Sequence, residues 1–172
     1  VNTVDKVNPS NSTTLNLIQT HTLDCWFYSP SAGQATSDGF LIRAGVGFDE
    51  QYGLAFAGGS GQLRYEFYDL ATPGFQTRYS TGIFNRNTWC NATVVKNSTT
   101  LYLYLNGSLD SVQVGSNTLP ATFGAMNIGS NSANPGQKYY GKIASARIYN
   151  RALSAAEVLQ NYRATKSRFK AI

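Results

Sequence analysis

The chain has 172 residues, which is the usual size of one domain and enough to bury a hydrophobic core. Only 13% of the residues are charged, about half the usual share, and this composition is more typical of extracellular β-proteins and virion proteins than of cytosolic enzymes. The formal net charge is +5, but outside 163–170 the basic residues are scattered and do not form the basic patch of a nucleic-acid site. No apolar run reaches the roughly 18–20 residues that a membrane span needs.

The chain begins with a polar segment and continues into a strong strand pattern. Residues 1–20 are rich in Asn, Ser and Thr, with one short apolar cluster at 15–18, and we expect an N-terminal arm followed by a first edge strand. Residues 22–28 alternate with a period of two, which is typical of a strand. One face of this strand carries Leu23, Cys25 and Phe27.

Short strand-like segments then follow one another, separated by turn residues. We predict strands at 39–44, 52–57, 62–69, 76–79, 88–96, 100–106, 113–114, 126–128 and 142–150. The intervening Gly, Pro and Asn residues supply the positive or preset φ angles that chain reversals need. Many short strands at this spacing indicate an all-β, antiparallel sandwich or barrel.

One helix is predicted near the end of the chain, at 154–162. Ser154 and Glu157 have the spacing of a capping box, and Leu153 can staple the first turn. We expect this short amphipathic helix to lie on the sandwich, and residues 163–172 to form a basic tail.

Three segments resemble concanavalin A-like, laminin-G-like domains. Residues 141–154 (GKIASARIYNRALS) are similar to the closing strand of that family and the start of its following helix. Residues 22–27 (TLDCWF) resemble an early strand, and residues 87–94 with 101–107 resemble a hairpin ending in Asn-Gly. The resemblance implies a jelly-roll β-sandwich over 21–162.

The last part of the chain carries a second resemblance. Residues 159–169 (LQNYRATKSRF) are similar to the endings of structural proteins of tailed phages, especially those of marine cyanobacteria. This similarity implies a virion or appendage protein with a lectin-like module, located outside the cell or on the virion surface.

The family also contains glycoside hydrolases, so catalysis has to be weighed. These enzymes need two carboxylates about 5–5.5 Å apart for retention or about 6.5–9.5 Å apart for inversion. The chain has no E-x-D-x-x-E motif, and we expect its acids to lie in different strands or on opposite faces. His21 is the single histidine and is expected on the surface, where it gives no Ser-His-Asp site. The sequence therefore predicts no catalytic residue and no enzyme.

Alternation on two strands suggests a contact face. Strand 62–69 places three side chains away from the core, and strand 100–106 places two tyrosines outward. These residues are Arg64, Glu66, Tyr68, Tyr102 and Tyr104. Sugar binding needs aromatic faces and polar groups, so we expect the five residues to contact glycans or other subunits. Outward tyrosines also occur at ordinary strand positions, and this simpler interpretation is the preferred one.

The cysteines and the glycosylation sequons leave alternatives open. Cys25 and Cys90 each adjoin a tryptophan, and they are either two buried thiols or a disulfide, which would favour an oxidising compartment. Sequons for N-glycosylation begin at Asn11, Asn91, Asn97 and Asn106. They matter if the chain passes through a glycosylating route, and the two in turns, Asn97 and Asn106, are then the favoured carriers.

Calcium is a further open question, because some relatives use Ca²⁺ held by loop oxygens. Asp38, Asp49 and Asp69 are candidate ligands by residue type alone. The acidic pair that the family usually has in its closing strand is Ala144-Ser145 here, so a ligand role for that pair is lost. The sequence predicts no defined metal site.

The functional expectation is a non-catalytic structural or adhesion module of a virion or extracellular appendage, in contact with glycans or neighbouring subunits. It would act as a homo-oligomer or as part of a larger assembly. One alternative is a filament subunit whose arm 1–20 adds a strand to its neighbour. Another is a free secreted lectin-like domain.

Overall fold

The structure, a computed structural model, describes residues 15–30, 39–45, 47–115, 118–122, 124–130 and 138–169. This part of the chain contains ten strands and one α-helix. They are β1 (Thr20–Tyr28), β2 (Gly39–Ala44), β3 (Tyr52–Phe56), β4 (Gln62–Asp69), β5 (Gly74–Ile83), β6 (Trp89–Asn97), β7 (Thr100–Leu105), β8 (Ser108–Val114), β9 (Met126–Ile128), β10 (Lys142–Tyr149) and α1 (Ala155–Thr165). Short 3-10 turns cover Gly47–Asp49 and Lys166–Phe169.

The strands form two five-stranded sheets. Sheet I has the order β10-β1-β6-β7-β8 and sheet II the order β5-β4-β3-β2-β9, and the neighbouring strands pair antiparallel. Apolar side chains of β1 and β4 meet in the core between the sheets. They include Leu23, Cys25, Phe27, Leu63, Tyr65 and Phe67. The predicted all-β antiparallel sandwich with one C-terminal helix is confirmed.

Some predicted strand boundaries agree with the structure and others do not. The predicted strands at 39–44, 62–69 and 126–128 coincide with β2, β4 and β9. The predictions for β5 and β8 are too short, since these strands cover Gly74–Ile83 and Ser108–Val114. Both are edge strands with mixed burial, so they lack the clear alternation that one buried face produces.

The segment just before β1 is not a loose arm. The Tyr52 hydroxyl donates to the carbonyl of Leu15 over 3.0 Å, and the buried Lys96 ammonium donates to the carbonyl of Ile18 over 3.1 Å. Residues 15–19 form no strand, so the described part of segment 1–20 does not contain the predicted edge strand, and β1, which follows it, lies between β10 and β6. Residues 1–14 of the predicted arm lie outside the described residues.

The predicted capping box is present at the start of α1. The Ser154 hydroxyl accepts a hydrogen bond from the Glu157 amide over 3.3 Å, and the Glu157 carboxylate accepts one from the Ser154 amide over 2.8 Å. Hydrogen bonds from Arg151 and then from Ser154 lower the pKa of Glu157 to about 2. None of the helices in the described part of the chain has the length and apolar character needed to cross a membrane.

Much of the predicted tail 163–172 is packed structure. α1 continues to Thr165, whose hydroxyl accepts a hydrogen bond from the Trp26 indole over 2.9 Å. The Trp26 ring stacks on Tyr162 and on Phe169, with centroid distances of 5.6 Å and 4.3 Å. The C-terminal segment therefore covers part of the surface of sheet I that faces away from the core, and residues 170–172 lie outside the described residues.

Candidate functional site

The five predicted contact residues do not share one face. On β4 the side chains of Leu63, Tyr65 and Phe67 enter the core, so Arg64, Glu66 and Tyr68 lie on the outer surface of sheet II. On β7 the core side chains are Leu101 and Leu103, which places the two tyrosines of this strand on the outer surface of sheet I. The whole sandwich separates the two groups, and the prediction of a single contact face is wrong.

The two tyrosines of β7 are also covered. Tyr104 is only 4% exposed and packs with Val95, Leu153 and Val158, while Tyr102 is partly buried against the same cluster. Alternation gave their direction correctly, but it gave no sign that α1 and the segment before it lie over them. Tyr104 is therefore a packing residue.

The outer surface of sheet II carries a row of three aromatic rings, Phe48, Tyr68 and Phe75, which we call the aromatic ridge. Tyr68 of β4 lies directly opposite Phe75 of β5. Phe48 precedes β3 on the other side of β4. The Tyr68 ring centroid is 5.2 Å from that of Phe48 and 5.5 Å from that of Phe75, with interplanar angles of 85° in both pairs.

The two ends of the ridge are open to solvent. Phe48 is 77% exposed and Phe75 is 48% exposed, whereas Tyr68 between them is 9% exposed. Each phenylalanine ring is almost perpendicular to the tyrosine ring. Of the three, only Tyr68 was predicted. Phe75 was missed because β5 begins earlier than its pattern suggested, and Phe48 because it lies in a turn.

Beside the ridge lies a group of charged side chains that we call the charged floor: Arg43, Glu50, Arg64 and Glu66. Arg43 forms an ion pair with Glu50, and Arg64 Nη1 lies 3.4 Å from Glu66 Oε2. Both guanidinium groups lie over the ring of Phe40, at 4.4 Å and 5.1 Å from its centroid. The charges of the four side chains sum to zero when all are ionised.

Gly53 makes this arrangement sterically feasible. A Cβ at this position would lie 2.6 Å from Glu50 Oε1 and 2.7 Å from Phe40 Cε1. The glycine therefore allows the carboxylate and the ring to lie directly on the strand. Burial raises the pKa of Glu50 to about 7, although the hydrogen bond from Arg43 opposes the shift.

The strand register orders this surface into rows. The pair Tyr68–Phe75 is followed by the pair Glu66–Thr77, two residues further along the same two strands. Successive pairs on one face of a sheet are about 7 Å apart. An apolar row is thus followed by a polar row.

The two cysteines are free and buried. Cys25 lies opposite Ala92 and Cys90 lies opposite Phe27, so the thiols are offset by two residues on neighbouring strands. Diagonal neighbours of this kind are typically about 7–8 Å apart, whereas disulfide Cβ atoms lie about 3.8 Å apart. Of the two alternatives left open by the sequence, the structure shows buried thiols, and burial raises the pKa of both.

The three described sequons differ in accessibility. Asn91 is 1% exposed, and its amide nitrogen donates to Asp24 Oδ2 over 2.9 Å, so it is closed to modification in the folded chain. Asn97 and Asn106 are exposed at hairpin turns. Asn11 lies outside the described residues.

Asp69, one of the three candidate calcium ligands, has a structural role. The carboxylate of Asp69 accepts hydrogen bonds from the Thr118 amide over 2.8 Å and the Thr72 hydroxyl over 2.7 Å, so it holds a turn. Among the described residues, no group of three His, Cys, Asp or Glu side chains could hold a metal ion. Asp38 lies outside that part of the chain.

His21 is fully buried, and the prediction of a surface histidine is wrong. Its Nδ1 lies 2.8 Å from the carbonyl of Leu17 and its Nε2 lies 3.0 Å from the Tyr65 hydroxyl. Burial, followed by the nearby Lys96, lowers the pKa of His21 to about 3. The ring therefore stays neutral and serves packing.

Comparisons with known proteins agree with this architecture. The profile of the concanavalin A-like lectin/glucanases superfamily matches residues 2–159. The binding domain of botulinum neurotoxin serotype G is 14% identical, with a TM-score of 0.69 over 88% of this chain and 38% of the toxin chain. The receptor binding domain of botulinum neurotoxin D is 16% identical, with a TM-score of 0.68 over 93% of this chain and 41% of that one.

A third similar structure comes from another group of proteins. The heptameric SAP-like pentraxin of Limulus polyphemus is 13% identical, with a TM-score of 0.62 over 83% of this chain and 69% of that chain. The present chain spans about two fifths of the neurotoxin chains, and at these identities the likeness concerns the fold alone. No curated protein matches the sequence significantly. Since the family profile covers most of its length, the chain belongs to the concanavalin A-like lectin/glucanases superfamily.

Proposed function

We propose that this chain is a non-catalytic adhesion module that binds glycans through the aromatic ridge. The observation that carries the proposal is the row of Phe48, Tyr68 and Phe75 on the outer surface of sheet II, with both ends exposed. Contiguous exposed apolar surface marks interaction sites, and aromatic rings offer flat faces to the apolar sides of sugar rings. A fold of the lectin type supports the same assignment.

The neighbouring polar row supplies the second requirement of a sugar site. Glu66 and Thr77 lie side by side, in the row next to the exposed rings on the same face. A carboxylate accepts hydrogen bonds from hydroxyl groups, and a threonine hydroxyl both donates and accepts. A few such groups beside an apolar surface fix the orientation of a ligand.

The biological setting that we propose is the surface of a virion or an extracellular appendage. The low content of charged residues and the phage-like ending at 159–169 support it. The toxin domains of similar fold are named as receptor binding domains, which supports a role in attachment. The pentraxin of similar fold is named as a heptamer, which supports an assembly of several copies.

Contact between subunits is a second candidate function, and one observation favours it. Three apolar side chains of β8 are half or more exposed: Leu109, Val112 and Val114. A filament or ring could bury this surface between copies. Native mass measurement with electron microscopy of the same sample tests it, and a monomer of about 19 kDa at micromolar concentration would exclude it.

The test of the glycan proposal compares two matched double variants on a glycan array. Phe48→Ala with Phe75→Ala removes the exposed rings of the ridge. Leu109→Ala with Val112→Ala removes two exposed apolar side chains from sheet I. We expect the first variant to lose glycan binding and the second to keep it, with both retaining the circular dichroism spectrum of the wild type. Equal binding by the two variants, or a wild type that binds no glycan, would overturn the proposal.

A further inference from the structure

The overall charge of the chain and the local charge near the aromatic ridge point to different ligands. With a net charge of +5 and a pI of about 9.3, the whole chain favours acidic partners through long-range attraction. A sulfated or carboxylated glycan would be the first expectation. The surface beside the ridge has a different balance.

The cations of the charged floor are already engaged. Arg43 is paired with Glu50, Arg64 is paired with Glu66, and both guanidinium groups lie against the Phe40 ring. The Arg43 and Arg64 side chains are 4% and 7% exposed. Little of either guanidinium group is therefore open to a sulfate or carboxylate of a ligand.

Arg78, the basic residue on the neighbouring strand β5, also makes contacts within the protein. Arg78 of β5 is partly buried, and its guanidinium donates to the backbone carbonyl of Thr77 over 3.0 Å. Its Cζ lies 6.0 Å from the ring centroid of Phe67, a residue of the core. This cation therefore faces the core side of β5, whereas the ridge lies on the outer side.

The group that does reach the ligand surface is an acid. Glu66 is the most exposed member of the charged floor, with 13% of its side chain accessible, and it occupies the row next to Tyr68 and Phe75. A carboxylate at this position accepts hydrogen bonds from sugar hydroxyls, and such charge-assisted bonds are stronger than neutral ones. It repels a ligand carboxylate or sulfate by Coulomb interaction.

We infer that the aromatic ridge takes a neutral glycan, whose hexose rings stack on Phe48 and Phe75 while their hydroxyls bond to Glu66, and that Glu66 excludes acidic glycans. The inference rests on the proposed glycan-binding function. It assigns both the ligand class and the residue that determines it.

Isothermal titration calorimetry of the whole chain with two sets of oligosaccharides tests the ligand class. The neutral set is cellohexaose, laminarihexaose and mannohexaose, and the acidic set is hexagalacturonate and a heparin hexasaccharide. We expect binding from the neutral set, with a Kd that changes less than about twofold between roughly 50 and 500 mM NaCl, because salt screens charge interactions and leaves stacking largely unaffected. The Phe48→Ala, Phe75→Ala double variant should abolish it.

Two outcomes separate the inference from the function on which it rests. Salt-sensitive binding of acidic oligosaccharides alone, lost in the ridge variant, would overturn the neutral class and leave the glycan proposal intact. Binding that the ridge variant retains, or its absence from both sets, would overturn the glycan proposal itself.

The role of Glu66 has its own test in the variant Glu66→Gln, with Thr77→Val as a comparison. We expect Glu66→Gln to weaken neutral binding about threefold to tenfold, as the loss of a charge-assisted hydrogen bond does, and to allow binding of hexagalacturonate. Thr77→Val should weaken neutral binding without admitting the acidic ligand. If Glu66→Gln stays folded by circular dichroism and rejects hexagalacturonate as the wild type does, Glu66 does not set the specificity.

Discussion

Asp110 of β8 accepts a hydrogen bond from the backbone amide of Gly82 of β5, with 2.7 Å between oxygen and nitrogen. Its second carboxylate oxygen accepts one from the Thr81 amide over 2.6 Å. The two strands are edges of different sheets, so Asp110 helps to close the sandwich along this side, together with Gln113 of β8, whose amide nitrogen donates to the Tyr79 carbonyl of β5 over 2.8 Å. A Cβ at Gly82 would lie 2.8 Å from Asp110 Oδ1, which explains the glycine.

This closure predicts the behaviour of the variant Asp110→Ala. Two amides of an edge strand would lose their acceptor, and unpaired edge groups are a template for pairing with another chain. We expect a loss of about 1–3 kcal/mol in the free energy of unfolding, together with concentration-dependent self-association. Urea unfolding and light scattering measure the two effects. Asp110→Asn, which keeps one acceptor oxygen, is the control, and a monomeric Asp110→Ala chain of wild-type stability would contradict the prediction.

The stacking of Phe169 predicts a structural role for the C-terminal turn. Its ring lies 4.3 Å from that of Trp26 and 5.1 Å from that of Trp89. We expect Phe169→Ala to lower the free energy of unfolding by about 1–2 kcal/mol, since the stacking and its buried area are both lost. Tryptophan fluorescence should shift to longer wavelength. Arg168→Ala, an exposed change in the same turn, should alter neither quantity, and an unchanged Phe169→Ala spectrum would show that the contact is dispensable.

Burial of His21 predicts an acid-sensitive stability. Its pKa is about 3 in the folded chain, against 6.5 for an unperturbed histidine, so between these values the unfolded chain binds a proton that the folded chain does not. The free energy of unfolding therefore falls as the pH falls through this window, by up to about 5 kcal/mol from this group. The urea concentration at the unfolding midpoint can be measured at about pH 7, 5 and 4. It should fall less with decreasing pH in His21→Gln than in the wild type.

Glu50 changes the free energy of unfolding with pH in the opposite direction to His21, so its variant must be measured in the same experiment. Its pKa is raised from 4.5 to about 7, so its contribution to stability is present below pH 4.5 and is lost as the pH rises towards 7. Glu50→Gln should remove this decline and leave the His21 effect more visible. A wild type and a His21→Gln variant with parallel pH profiles would contradict the assignment to His21.

The sequons predict a selective pattern of modification if the chain is secreted through a glycosylating route. Asn97 is exposed at the end of β6 and should carry a glycan. The Asn91 side chain is buried and donates a hydrogen bond to Asp24, so it should carry no glycan in the folded protein. Peptide mass spectrometry of secreted protein measures the occupancy of each site. Asn97→Gln should remove the glycan and leave stability within about 0.5 kcal/mol. A folded product modified at Asn91 would contradict the buried position of its side chain.

The sequence predicted the sheets well because alternate side chains of the inner strands are apolar and enter the core. Apolar residues alternate with polar ones along β1, β4 and β6, and the capping box of α1 is a local sequence pattern. Both signals can be recognised without knowledge of distant residues. The site was harder. Tyr102 and Tyr104 point away from the core as predicted, but α1, about 50 positions later, covers them. Residues from separate turns and strands that meet a common partner, as Phe48 and Phe75 both meet Tyr68, leave no periodic signal.

The C-terminal helix and the aromatic ridge lie on opposite outer surfaces of the sandwich. A copy held through the helix side therefore presents its ridge away from the support. On the proposed function, many copies held this way would point their ridges outward together, and each bound sugar would raise the effective concentration of the next site. The weak contacts of single copies would then add up to tight attachment to a glycan-coated surface, whereas a single released copy would dissociate quickly.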